Sequence, residues 1–82
     1  MVEPDPTIAR LQKHAEKLRY RLAIDQDPDG VGNVRWAAWA DPLGGGAAIF
    51  LTHASTKVEA AEVGLALTQR GAAFGDWPEQ PG

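Results

Sequence analysis

The sequence predicts an α+β fold in the order α-β-β-β-α: a three-stranded antiparallel meander with two helices packed on one of its faces. Three observations predict it. Apolar residues recur every three or four positions near both ends of the chain. Between them lie three runs that alternate apolar and polar. Each pair of runs is separated by proline- and glycine-rich turn chemistry.

Residues 1–6 hold two prolines and two acids and read as a lead-in to the first helix. Asp5 or Thr7 can cap that helix, with Pro6 in its first turn. Ile8, Leu11, Ala15, Leu18 and Leu22 then fall at steps of three and four that mark one helical face, and the helix is expected over 7–18. The period changes at Tyr20. Tyr20, Leu22 and Ile24 alternate with Arg19, Arg21 and Ala23, a half-buried strand pattern. The stretch from Asp25 to Asn33 (DQDPDGVGN) supplies turn residues.

Val34 to Asp41 alternates again. Val34, Trp36, Ala38 and Ala40 share one face and Arg35, Ala37, Trp39 and Asp41 the other. A second turn, Asp41 to Gly46, leads to a third strand over 47–53 with Ile49 and Phe50 as strand formers. Thr56 and Glu59 have capping-box spacing at the start of a second helix. Val58, Ala61, Leu65 and Thr68 form its stripe, widened by Ala60, Val63 and Leu67. Gly71 after Arg70 predicts its end. Gly64 lies inside this helix, where glycine costs up to about 1 kcal/mol relative to alanine, which points to a close approach to the first helix or the sheet. The domain therefore covers 7–72, and 73–82 form a C-terminal tail containing Phe74, Trp77, Pro78 and Pro81.

The 82 residues make one domain with a thin core. Hydrophobic residues are 44% and charged residues 23%, both ordinary for a globular protein. The net charge of −3 argues against a general nucleic-acid binder. The chain has no cysteine, which removes disulfides and thiolate metal sites. The longest apolar run, Ala47 to Leu51, is too short to cross a bilayer, and the acidic start lacks the features of a signal peptide. The expected location is the cytoplasm.

Around the second helix the sequence reads Gly44-Gly45-Gly46, then Ser55-Thr56-Lys57-Val58-Glu59-Ala60-Ala61, with Gly64 following. Together with the element order over 7–72, this resembles the double-stranded RNA-binding domain, whose glycine-rich third strand precedes a lysine-bearing, alanine-rich helix. The resemblance implies the α-β-β-β-α arrangement and, as the alternative function, binding of duplex RNA or DNA. The chain departs from the family where that family grips phosphate. Lys57 stands alone in place of a lysine cluster, and the first hairpin carries Asp25, Asp27 and Asp29, which repel phosphate.

Other constellations are weaker. Asp25, Asp27, Asp29 and Gly30 match the first half of a calcium loop, but the position for its bidentate glutamate holds Trp36. An acidic β-turn accounts for the same residues. His14 and His53 have no cysteine to complete a zinc set. His53 lies near Ser55 and Thr56, yet nothing in the sequence orients a third group for nucleophilic chemistry. The three glycines are not followed by the Gly-Lys-Ser/Thr of a phosphate loop. Residues 58–65 and 66–74 can be read as a helix-turn-helix, against which stands an unbroken helical period through Gly64. No enzyme, metal, cofactor, membrane or small-molecule role is expected.

The tryptophans carry the functional reading. Trp36 and Trp39 are three apart and so point to opposite faces of one strand. The even set is wholly apolar and belongs against the helices. Trp39 then lies on the open face with Arg35, joined by Arg21 from the first strand and by Phe50 or Ile49 from the third. Tryptophan and arginine together are the composition of an interaction hot spot. Arg21, Arg35 and Trp39 are the candidate partner-binding residues of a non-catalytic accessory, regulatory or inhibitor module that binds a partner protein or a second copy of itself. Covering of Trp39 by the tail, through Phe74 or Trp77, stays open at this point.

Overall fold

A computed structural model describes residues 6–28 and 34–80. The elements follow the order α1 (Pro6–Lys17), β1 (Tyr20–Pro28), β2 (Val34–Pro42), β3 (Ile49–Ala54) and α2 (Lys57–Phe74). The strands form one antiparallel sheet in the order β1-β2-β3. Both helices lie on the same side: α2 packs across all three strands, and α1 packs on β1 and α2. This is the α+β arrangement expected, and it is compatible with the topology of the double-stranded RNA-binding domain.

The even residues of the central strand face the helices, as their apolar character requires. Ala38 and Ala40 are fully buried and belong to the core with Ala15, Leu22, Leu51, Ala60 and Leu65. Leu11, Leu18, Tyr20, Ile24, Trp36, Ile49, Leu67 and Trp77 pack around this centre. The core is built from small residues at its middle and large ones at its margin. Alanines on β2 and a small-residue stripe on α2 let the helix sit low on the sheet. Gly64 is the point of contact: a Cβ there would lie 3.1 Å from the Cβ of Ala38 and 3.4 Å from Cδ1 of Leu51. The close approach inferred for Gly64 is therefore to the sheet. Thr68, fully buried beside it, donates its hydroxyl to the Gly64 carbonyl at 2.8 Å, so its polar group is satisfied inside its own helix.

The helix α2 begins at the expected cap, where the Thr56 side chain accepts a hydrogen bond from the Glu59 amide. It does not end at Gly71. The helix continues to Phe74 and stops at Gly75, whose φ of 69° is the left-handed conformation that closes helices. Gly71 is inside the helix because a ring needs its space. A Cβ on Gly71 would fall inside the indole of Trp77. The part of the chain read as tail thus contributes the last turn of α2, and Trp77 packs back on the core with its ring edge-to-face with Tyr20 at 5.1 Å.

The strand β1 also runs further than the turn residues suggested. Asp25, Gln26, Asp27 and Pro28 remain paired with β2, the last pair being Pro28 with Val34. Asp25 and Asp27 occupy the open face, where a strand needs no apolar residue to keep its register. Asp29 and the rest of the expected turn, through Asn33, lie outside the described residues.

Candidate functional site on the open sheet face

The face of the sheet away from the helices carries the odd residues of β1 and β2: Arg21, Ala23, Asp25 and Asp27 against Arg35, Ala37, Trp39 and Asp41. In register, Arg21 lies opposite Asp41, Ala23 opposite Trp39 and Asp27 opposite Arg35. The predicted residues Arg21, Arg35 and Trp39 are thus on one face, but they do not form one cluster. Arg21 sits at the Asp41 end. Arg35 sits at the other end, four residues from Trp39 along β2.

The third strand completes the site in a way the alternation does not foretell. Trp39 pairs with Phe50, whereas Ala38 pairs with Thr52, so β3 holds one extra residue between them. Such a bulge shifts the phase of the strand by one residue. Phe50 and His53, three apart, would face opposite ways in a regular strand. Here both face away from the helices, and their ring centroids are 4.8 Å apart. Phe50 is edge-to-face with Trp39 at 5.1 Å. The result is a row of three rings, Trp39, Phe50 and His53, on the helix-free face. Of the two β3 residues considered for this face, Phe50 joins it and Ile49 packs against the core.

Asp27 closes the row from the far strand. Its Oδ2 accepts a hydrogen bond from Nε2 of His53 at 2.7 Å and lies 3.5 Å from the Arg35 guanidinium. An ionised carboxylate only accepts, so Nε2 carries the proton in this contact. The contact crosses the whole width of the sheet, since β1 and β3 are about 10 Å apart. It is possible because Ala37, opposite both Asp25 and His53, projects only a methyl group. Ala37 is 4% exposed although it faces away from the helices. Its larger neighbours enclose it.

The described part of the tail, through Gln80, does not cover this face. Trp77 lies on the helix side, and Phe74, at 82% exposure, rests on neither face. Only the side-chain amide of Gln80 reaches Phe50, and it does so at the backbone, accepting from the Phe50 N–H at 2.7 Å and donating to its carbonyl at 3.0 Å. The opposite edge of the sheet carries the same device: the Gln12 amide takes the N–H and C=O of Leu22 at 2.6 and 2.7 Å.

The remaining candidates are dispersed. Ser55 is exposed, Thr56 caps α2, and the imidazole of His53 is bonded to Asp27, while the Thr52 hydroxyl donates only to the His53 backbone carbonyl at 3.2 Å. Among the described residues no three histidine, aspartate or glutamate side chains gather as a metal site. Residues 58–74 form one continuous helix rather than a helix-turn-helix. Lys57, the single lysine at the start of α2, lies over the Trp36 ring at 5.8 Å from its centroid. No described helix is long and apolar enough to cross a membrane. The chain matches no protein-family model, and no curated protein or solved structure matches it either.

Proposed function

We propose that this chain is a non-catalytic protein-interaction module that docks a partner protein on its open sheet face. The observation that carries the reading is the Trp39–Phe50–His53 row, a contiguous aromatic surface on the face that neither helix covers. Aromatic rings held by one another present large contact area at little entropic cost, and arginine beside them supplies planar hydrogen bonding. Arg35 lies at one end of the row and Arg21 at the other.

The electrostatics favour a protein over a nucleic acid. The open face carries Asp25, Asp27 and Asp41 against two arginines, and each arginine has a carboxylate opposite it in register. A phosphate backbone approaching the rings would meet three acids. The RNA-binding alternative rests on the fold arrangement and on Lys57 alone.

Affinity capture with the full chain, with and without nuclease, tests the proposal when run beside Trp39→Ala and Phe74→Ala. A protein partner that survives nuclease, is lost with Trp39→Ala and is kept with Phe74→Ala supports it. A partner released by nuclease, with a steep loss on added salt, supports the nucleic-acid alternative. Capture that is indifferent to Trp39→Ala overturns the assignment of this face.

A further inference from the structure

We infer that β3 is a gated edge: the Gln80 amide occupies the place of a neighbouring strand, and its release lets β3 pair with β3 of a second copy of this chain. An outer strand exposes backbone donors and acceptors, and proteins protect such edges with charges, prolines or covering groups. Both edges of this sheet carry a glutamine clip, but they differ in what else protects them. The β1 edge bears Arg21, Asp25, Asp27 and Pro28, and its Leu22 peptide group is held by Gln12 from within α1. The strand β3 reads Ile49-Phe50-Leu51-Thr52-His53-Ala54. It has no proline, lysine, arginine, aspartate or glutamate. Its protection is Gln80, at an exposed position in a segment without helix or strand.

The geometry of the clip specifies the occupant. One primary amide gives its oxygen to the Phe50 N–H and its nitrogen to the Phe50 carbonyl. In an antiparallel ladder, a single residue opposite does the same with its own backbone N–H and C=O. Gln80 therefore imitates one hydrogen-bonded antiparallel pair. The group that replaces it in a twofold assembly is the backbone of Phe50 from the second copy. Having no lysine, arginine, aspartate or glutamate, the strand sets no two such charges against each other when paired with itself. With the twofold axis normal to the sheet, both open faces lie on the same side of a six-stranded sheet. The two aromatic rows then meet at the new seam. This inference rests on the edge and not on the protein-docking reading of the open face.

The test is the oligomeric state of full-length variants by sedimentation equilibrium. Gln80→Leu keeps the side chain's bulk and removes both hydrogen bonds to Phe50, together with the amide's local bond to the Pro78 carbonyl, leaving Trp77 in its seat. It should associate to a dimer about tenfold or more tightly than the unmodified chain, the effect of about two net hydrogen bonds. Adding Thr52→Lys to that variant places like charges in the paired strands and should return it to monomer. Gln80→Glu retains the acceptor and loses the donor, and should fall between Gln80→Leu and the unmodified chain. A Gln80→Leu variant that associates no more tightly than the unmodified chain overturns the inference. So does a dimer that survives Thr52→Lys, because it then lies elsewhere on the molecule.

Discussion

The indole of Trp77 occupies the space that any side chain on Gly71 would need. Helix and tail are thereby locked together, since α2 can carry the ring only where its backbone is bare. Gly71→Ala should therefore destabilise the protein by about 1–3 kcal/mol, because the methyl group expels a ring packed against Tyr20. In a Trp77→Ala background the same change should reverse sign and stabilise by up to about 1 kcal/mol, the helix propensity of alanine over glycine. Chemical denaturation of the four variants measures this cycle. Additive effects would mean that the ring and the glycine do not share the space.

Gly64→Ala provides the contrast. Its methyl would meet the Ala38 methyl at 3.1 Å, a contact that a shift of a few tenths of an ångström relieves. The packing cost and the propensity gain are each of order 1 kcal/mol, so the net change should stay within about 1 kcal/mol of zero. A loss as large as that of Gly71→Ala would show that the sheet cannot yield under α2.

Gly71 and Gly64 also show what sequence can express. Both are glycines within a helical period, and only a tertiary neighbour separates their roles. The rule that glycine ends helices placed the stop four residues early, and Gly75 was the residue that obeyed it. The alternation of β2 was fully legible because one face must be apolar and the other need not be. The far half of β1 was not, because Asp25 and Asp27 face away from the helices and resemble turn residues. On the candidate face, Trp39 was legible, Phe50 only as an alternative to Ile49, and His53 not at all, because the orientation of both β3 rings depends on one extra residue in that strand. The two glutamine clips carry no local signal, since each depends on a backbone group at least ten positions away.

Arg19 has a φ of 68° between α1 and β1, and its carbonyl accepts from the Leu43 amide at 3.0 Å. The left-handed conformation costs a residue with a Cβ about 1–2 kcal/mol, and glycine avoids it at an entropic cost of roughly 0.5–1 kcal/mol. Arg19→Gly should therefore stabilise the chain by about 0.5–1 kcal/mol, read as a higher denaturation midpoint. An unchanged or lower midpoint would show that the arginine side chain contributes enough elsewhere to offset the strain.

Trp39 is half-buried and touches Phe50 by its edge, so it contributes to stability as well as to the surface. Trp39→Ala should cost about 1–2 kcal/mol, the sum of an edge-to-face pair and part of the ring's burial, and leave the far-ultraviolet circular dichroism unchanged. Trp36, on the helix side and packed against the core, should cost more, about 3–5 kcal/mol on truncation to alanine. Equal losses for the two tryptophans would contradict their assignment to different faces.

The Asp27–His53 contact makes the sharpest demand on a neighbouring residue. The two side chains are 40% and 34% exposed, so their coupling in a double-mutant cycle of Asp27→Asn and His53→Gln should stay below about 1 kcal/mol. What the contact fixes is the angle of the imidazole against Phe50, and that depends on the low profile of Ala37 beneath it. Ala37→Leu fills the path between β1 and β3. It should move the His53 ring resonances in the nuclear magnetic resonance spectrum toward their positions in Asp27→Asn, while the exposed His14 serves as an unmoved reference. If His53 keeps its resonances in Ala37→Leu, the carboxylate reaches it by a route other than across the middle strand.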